Sequence, residues 1–335
     1  MRYHLFILFL IVLLWGCDSS HQLQNDLQEY QERMANVLDE ESPVQLTVSL
    51  RPYPPLRELQ QNLPETTIKL FEFYEFKHCE LYSLVAQRNT TLGNLQLPST
   101  RYVYERQLIN GLQQCLEDTQ DPKLREKLAN WKQIKVGQLP MVWANLMQLS
   151  AEMKQGLSSN YGFVKGDERD GLIQSINALK FLLHINRNNQ LQSSTLEQHL
   201  KILKDNSLPA KLWLSQLTLS KNLPPTTLWL EQHTSDLRCS SSRSRQKLEY
   251  LTNVFQRFFI EKIQPTASQI NNYHYQFSPI FELIMVHPDL SPHFKKHVKL
   301  NQQGFDTYKV AMQQHIQFWQ NLYQRCNKQP GKKTQ

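Results

Sequence analysis

An apolar stripe with a helical period runs along the C-terminal part of the chain. Its members are Tyr308, Met312, His315, Trp319, Leu322 and Cys326. Steps of four and three residues place these side chains on one face of an α-helix, where they pack against a core. Two shorter stripes have the same spacing, namely Tyr104, Leu108, Leu112 and Cys115, and Leu248, Leu251, Phe255 and Phe258. The pattern predicts an all-α protein.

The composition agrees with a helical fold. Only 10 of the 335 residues are glycine, whereas glycine makes up about 7% of an average protein. With 40% apolar residues, the chain can build a multi-helix globular bundle. We expect one large domain or two closely packed helical subdomains over residues 22–326, with a possible boundary near the Ser-, Gly- and Asn-rich residues 158–166. Residues 327–335 are polar and are predicted to form a disordered tail.

Prolines and polar segments divide the chain into predicted helices. Pro140, Pro209 and Pro224 are expected at helix starts, where the N–H that proline lacks is not needed. The predicted helices cover residues 22–41, 55–62, 66–88, 99–118, 121–135, 140–155, 167–188, 194–205, 208–221, 225–239, 243–263, 278–286 and 291–326.

The first residues carry a different signal. A short basic start is followed by eleven apolar residues at positions 5–15. This run is too short to cross a bilayer, which takes about 20 residues, but it fits the apolar core of a secretory signal, which has about 7–15. Residues 1–16 are therefore predicted to be a removed signal peptide, and residues 17–21 a linker. The alternative is an N-terminal anchor helix with an incidental cysteine.

The segment Leu14-Trp15-Gly16-Cys17 resembles the lipobox of bacterial lipoproteins. The resemblance implies that a diacylglyceryl group joins the Cys17 thiol, that the chain is cleaved before Cys17, and that the new amino group is acylated. Two or more acyl chains hold a protein stably at a membrane. Asp18 resembles the signal that retains lipoproteins in the inner membrane of enteric bacteria. These resemblances imply a lipid-anchored periplasmic protein, with the inner membrane favoured over the outer, and no cofactor besides the covalent lipid.

Four further cysteines suggest two disulfides, because disulfides form in oxidising compartments. They are Cys79, Cys115, Cys239 and Cys326. Three pairings are possible, and the most local one, Cys79 with Cys115 and Cys239 with Cys326, is favoured. Buried free thiols are the alternative. A zinc site is less favoured because the sequence has no C-x-x-C pair.

A second resemblance covers the whole chain. It rests on the lipobox, on the helical, glutamine-rich body, and on the adjoining segments Arg51-Pro52-Tyr53-Pro54-Pro55 and Leu56-Arg57-Glu58-Leu59. On these residues the chain resembles the uncharacterised lipoproteins of gammaproteobacteria that are grouped as a domain of unknown function. The resemblance implies compartment and class but no activity. The prolines make the first segment extended, and we expect it to pack across its own domain; the alternative is that it presents Tyr53 to a partner.

The function predicted from these observations is a non-enzymatic binding or scaffold protein of the cell envelope. The sequence has no hydrolase elbow, phosphate loop or dinucleotide fingerprint. Besides membrane lipid, the expected partner is an envelope protein or a cell-wall component. The formal net charge of +7 suits anionic lipids or polymers, or describes a mildly basic surface. Nucleic acid is not expected, because no binding motif for it occurs.

Two other functions remain open. His293 and His297 are four residues apart, as zinc ligands on one helix face can be, and His287 is close in sequence. They suggest an envelope enzyme or metalloprotein, but the HExxH pattern is absent, and solvated or core histidines are the competing interpretation. A periplasmic ligand carrier is the other possibility, and it requires a large apolar cavity.

Overall fold

The computed structural model describes residues 21–64, 68–88, 97–166, 171–187, 191–237 and 239–326. All regular structure in these ranges is helical, which confirms the predicted all-α fold. The predicted signal peptide, the linker with Cys17 and Asp18, and the predicted tail lie outside the described residues, except for His21 at the end of the linker.

The helices follow one another with short connections. They are α1 (Gln22–Leu38), α2 (Leu56–Leu59), α3 (Leu70–Glu75), α4 (Leu81–Arg88), α5 (Pro98–Asp118), α6 (Pro122–Leu149), α7 (Ala151–Ser158), α8 (Leu172–His184), α9 (Ser193–Asn206), α10 (Leu208–Thr234), α11 (Ser242–Val254), α12 (Gln264–Val286), α13 (Pro292–Gln302) and α14 (Gly304–Arg325). A 3₁₀ turn, Ile185–Arg187, follows α8, and a π-helical segment, Phe255–Ile263, joins α11 to α12. The most extensive helix pairs are α5 with α6 and α10 with α14.

The buried apolar side chains form two clusters. The main core takes residues from α1 and α2, from the first turns of α5, from the C-terminal half of α6, and from every later helix. It therefore draws side chains from both sides of residues 158–166, and a subdomain boundary there stays a prediction. The satellite core consists of Phe76, Leu81, Val85, Tyr104, Leu108, Leu112, Cys115, Leu124, Leu128 and Trp131. Helices α5 and α6 thus belong to both cores.

A chain of hydrogen bonds crosses the main core and links α1, α10 and α14. Trp319 Nε1 donates to the Tyr30 hydroxyl at 3.1 Å, and that hydroxyl lies 2.9 Å from His315 Nε2. His315 Nδ1 lies 2.8 Å from Thr227 Oγ1, which donates to the backbone carbonyl of Leu223. Every donor in this chain meets an acceptor if the neutral imidazole of His315 carries its proton on Nδ1. Nδ1 then donates to Thr227, and Nε2 accepts from the Tyr30 hydroxyl. Burial lowers the pKa of His315 to about 3, which agrees with a neutral ring.

Two helices run through prolines at which the sequence analysis wrongly placed boundaries. Pro140 lies inside α6, and Pro224 lies inside α10. A proline frees the carbonyl four residues before it. At Pro140 that carbonyl belongs to Val136, an exposed residue to which water has access. The interior of α6 therefore survives a residue that normally marks a helix end. Pro209 does lie in the first turn of α10, as predicted.

The π-helical segment explains another wrong boundary. The sequence predicts no helix over residues 264–277, but α11, the π-helical segment and α12 run on without a break. Within the wider turns, Gln264 donates its N–H to the Phe259 carbonyl, five residues back. Pro265, directly after this bond, occupies the first turn of α12, where its lack of an N–H is tolerated. The predicted helix 291–326 is instead interrupted between α13 and α14.

Side-chain amides hold the irregular segments on either side of α2 against the helices. Asn222 of α10 accepts from the Leu46 N–H at 2.7 Å and donates to the Leu46 carbonyl at 3.1 Å. Asn145 of α6 makes the same two bonds with the Gln61 backbone, at 2.9 and 2.8 Å. Tyr53 donates its hydroxyl to a backbone carbonyl of α6 at 3.1 Å. The proline-rich segment therefore packs across its own domain, as expected.

The structure contains the two disulfides of the favoured pairing. Cys79 and Cys115 have Cα atoms 5.4 Å apart and tie the start of α4 to α5 within the satellite core. Cys239 and Cys326 have Cα atoms 5.3 Å apart and tie the loop after α10 to the end of α14. Both Cα distances lie in the usual range for a disulfide, about 4.4–6.8 Å.

The buried imidazole of His315 makes stability depend on pH. In the unfolded chain an imidazole takes up a proton as the pH falls through about 6.5, but the folded His315 does so only near pH 3. The contribution of the neutral His315 ring to the free energy of unfolding is complete above pH 6.5. It is lost as the pH falls towards 3, at about 1.4 kcal/mol per pH unit. When the pH is lowered from 7 to 5, the free energy of unfolding should fall by about 2 kcal/mol less in His315→Gln than in the wild type. Urea denaturation measures this, with the exposed His78 replaced by Gln as control. An equal pH dependence in wild type and His315→Gln would contradict the assignment.

Candidate functional site

A cavity of about 860 Å³ lies between the satellite core and α6, below the segment that follows α2. Its apolar wall includes Leu81, Val85, Leu108, Leu112, Trp131 and Val142. Its polar wall includes Arg88, Arg101, Tyr104, Glu105 and Lys135. Ligand pockets in proteins typically measure about 300–1,000 Å³ and combine an apolar lining with a few polar groups. The volume of this cavity lies in that range, and its lining contains both apolar and polar residues.

The centre of the polar wall is a carboxylate held between two cations. Glu105 of α5 is only 1% exposed. Arg101, one turn earlier on α5, forms an ion pair with Glu105 Oε1, and Lys135 Nζ of α6 lies 3.3 Å from Oε2. Within the described part of the chain, neither Glu105 Oε2 nor Arg101 Nε has a hydrogen-bond partner of good geometry. The ion pairs therefore leave hydrogen-bonding capacity unused inside the protein.

The electrostatics of this wall are dominated by positive charge removed from water. Burial lowers the pKa of Lys135; Glu105 counteracts this, while Arg101 and Arg88 lower that pKa further. The pKa of Arg88 is also lowered, first by burial and then by repulsion from Arg101. The cations are thus close enough to repel one another, and Glu105 is the single carboxylate among the described lining residues. A negative charge would be favoured beside them.

Tyr104 adds an aromatic surface and a hydroxyl to the same wall. The Arg101 guanidinium lies over its ring, 5.7 Å from the centroid. Burial, followed by the nearby charge of Glu105, raises the pKa of Tyr104 to about 12. The hydroxyl therefore stays protonated at neutral pH and can donate a hydrogen bond.

The sequence analysis missed this site although a signal was present. Glu105 lies three residues before Leu108, so it falls on the apolar stripe of α5. Lys135 lies four residues after Trp131 and likewise continues the face of α6 that enters the satellite core. A charged residue of opposite sign on each of two apolar stripes predicts a buried ion pair. The apolar members of the stripe alone do not reveal it.

The three histidines singled out in the sequence have separate partners. The ring of His287 packs against Trp143 with centroids 4.2 Å apart and an interplanar angle of 35°. His293 Nδ1 forms an ion pair with Glu58 at 3.0 Å when protonated. His297 is buried, with Nε2 3.2 Å from a backbone carbonyl of α7, and burial lowers its pKa. In the described ranges, no three or more His, Cys, Asp or Glu side chains are grouped so that they could hold a metal ion.

A second concave surface, of about 990 Å³, lies between α1 and α11. Arg33, Arg243, Lys247 and Arg257 line it together with Asp39. Lys247 pairs with Asp39 at 3.5 Å, and the side chains of both are in contact with solvent. Exposed charges of this kind are screened by water and salt. The cavity beside Glu105, where Glu105 and Lys135 are buried, is therefore the stronger candidate site.

None of the helices in the described ranges is both long enough and apolar enough to cross a membrane. A family model described as "Protein of unknown function (DUF3080)" matches residues 27–330. No match was found among curated proteins or among solved structures.

Removing the carboxylate of the charged wall should destabilise the protein. Glu105→Gln leaves two partly buried cations without their counter-ion, and we expect a loss of about 3 kcal/mol in the free energy of unfolding. Adding Lys135→Met should recover part of that loss, because one of the two unpaired charges is then gone. Urea denaturation measures both. Glu117→Gln, at an exposed position of the same helix, is the control and should change stability by less than about 0.5 kcal/mol. A Glu105→Gln variant as stable as its control would show that the ion pairs of Glu105 do not contribute to stability.

Proposed function

Since the chain belongs to the family described as protein of unknown function (DUF3080), and this description names no activity, we propose a function from the site itself. The protein is a non-enzymatic binding protein of the cell envelope, held at the membrane by lipid on Cys17, and it takes a small molecule into the cavity beside Glu105. The geometry of that cavity is the observation that carries the proposal.

The cavity supports binding better than a purely structural role. The cavity is a cleft about half open to solvent, and its volume of about 860 Å³ lies in the range of ligand pockets. Replacing a buried ion pair with apolar side chains of similar volume is often neutral or stabilising. Folding alone therefore does not require Arg101, Glu105 and Lys135 at the edge of an apolar cluster. A ligand that uses both the polar and the apolar wall gives each a purpose.

The envelope location rests on the sequence and is consistent with the cysteines. The apolar run at 5–15, the lipobox that ends at Cys17, and Asp18 together favour the periplasmic side of the inner membrane. The pairs Cys79–Cys115 and Cys239–Cys326 are both bonded, and such bonds persist in an oxidising compartment. The same anchor keeps the helical body close to the bilayer, because only a few residues separate Cys17 from α1.

The anchor has a simple chemical test. Protein isolated from membranes should begin at Cys17 and carry the mass of its acyl chains. Cys17→Ala should leave an uncleaved precursor that retains residues 1–16. Intact-mass spectrometry of both proteins gives the answer. An unmodified thiol at position 17, or a mature-sized Cys17→Ala product, would refute the lipid anchor.

Occupancy of the cavity can be tested by filling it. Val85 is buried and lines the cavity, so Val85→Phe places extra volume inside it. Native mass spectrometry of the wild type, released gently from membranes, should detect a non-covalent small molecule that Val85→Phe lacks. Val136→Phe makes the same substitution at an exposed position of α6 and should retain the molecule. If wild type and Val85→Phe carry the same molecule, or neither carries one, the proposal fails.

A further inference from the structure

We propose that the ligand of the cavity is an anionic amphiphile, an acid with an aliphatic tail, whose acid group binds between Arg101 and Lys135. This inference rests on the proposed function and adds the chemical class of the ligand to it.

The charge balance of the described wall calls for an anion. Two cations, Arg101 and Lys135, share one carboxylate, that of Glu105. The Arg101 side chain is 21% exposed, the Lys135 side chain 10% and the Glu105 side chain 2%. With so little water available, the excess positive charge is poorly screened. An acid group placed beside the two cations would balance it.

Hydrogen-bond donors remain for such a group. Arg101 carries five N–H bonds and Lys135 three. Arg101 Nε is buried and has no hydrogen-bond partner among the described residues. The protonated hydroxyl of Tyr104 lies on the same wall. Hydrogen bonds between charged donors and an acid group are roughly twice as strong as those between neutral groups.

The apolar residues of the lining fit an aliphatic tail. Leu81, Val85, Leu108, Leu112 and Trp131 all belong to the satellite core and all line the cavity. Burial of a tail against them would contribute about 0.8 kcal/mol for each CH₂ group. A polar anion such as phosphate alone would leave this surface unused, and a neutral tail alone would leave the Arg101 Nε unsatisfied. A cationic ligand would be repelled by the two cations.

Three ligands of one tail length, together with a short-chain phosphatidic acid, test the class. The full lipidated chain is kept in a neutral detergent, so that partition of each ligand into micelles is the same for every variant. The probes are laurate, dodecanol, dodecyltrimethylammonium and dioctanoyl phosphatidic acid, and calorimetry measures their binding. Laurate or the phosphatidic acid should bind at least about tenfold more tightly than dodecanol, and the cation should not bind. Tight binding of laurate identifies a free fatty acid as the fitting form, and tight binding of phosphatidic acid alone identifies a phospholipid.

Variants of opposite sign distinguish a binding role from a structural one. Lys135→Met and Arg101→Gln should each weaken binding of the anionic probe by about tenfold, with little change for dodecanol. Glu105→Gln should strengthen it, because it removes the competing carboxylate. Lys132→Met, on the same helix but outside the cavity lining, is the matched control. Two independent cation variants keep the test valid if one of them fails to fold, as judged by circular dichroism.

The outcomes separate this inference from the proposed function. If dodecanol binds as tightly as laurate and phosphatidic acid, or if the cation variants leave the anionic probes unaffected, the class is wrong. If native mass spectra in that case still show a molecule on the wild type that Val85→Phe lacks, the proposed binding function is supported although the ligand class is wrong. If none of the probes binds, the class is again overturned, and the native mass spectra alone decide whether the cavity holds anything.

Discussion

The contact between Glu105 and Lys135 lies where two cores meet on one pair of helices. On α5, Tyr102 and Val103 enter the main core, whereas the residues from Tyr104 onward enter the satellite core. On α6 the changeover falls after Trp131, and Lys135 is in the first turn beyond it. Where a helix passes from one core to the other, its side chains point into one core or the other, and the space between the cores is not filled by apolar side chains. The cavity and the buried charges share that position, so the architecture and the candidate site have the same origin.

Polar side chains do similar work elsewhere in the bundle. The chain from Trp319 through Tyr30 and His315 to Thr227 gives each buried donor an acceptor and fixes how α14 meets α1 and α10. Asn222 and Asn145 pair with backbone groups of segments that have no helix to satisfy them. Apolar packing alone tolerates sliding of one helix over another, whereas these bonds are made in one register only. Glu105 and Arg101 differ, because they retain atoms without partners.

The fold class followed from the sequence because an apolar period of three and four residues has one structural meaning. The stripes that contain Leu108, Leu251 and Trp319 all lie in helices and face the cores. Helix ends were less predictable, since Pro140 and Pro224 lie inside helices although proline normally marks an end. The positions of Glu105 and Lys135 on apolar stripes predict a buried ion pair, but the cavity beside it depends on how α5 and α6 meet, which no local pattern records. The spacing of His287, His293 and His297 suggested one metal site. Spacing along the chain does not show that each of them contacts a different part of the fold.

The two disulfides also determine how the chain would respond to force. Cys239 and Cys326 are 87 residues apart in the sequence, and Cys79 and Cys115 are 36 residues apart. A pull on the two ends of the polypeptide would extend only the parts outside these covalent rings. At about 3.5 Å for each extended residue, the larger ring withholds roughly 300 Å of contour length and the smaller one roughly 120 Å. Helices α11 to α14 would therefore stay together as a short, tethered unit even after the rest of the body had been drawn out.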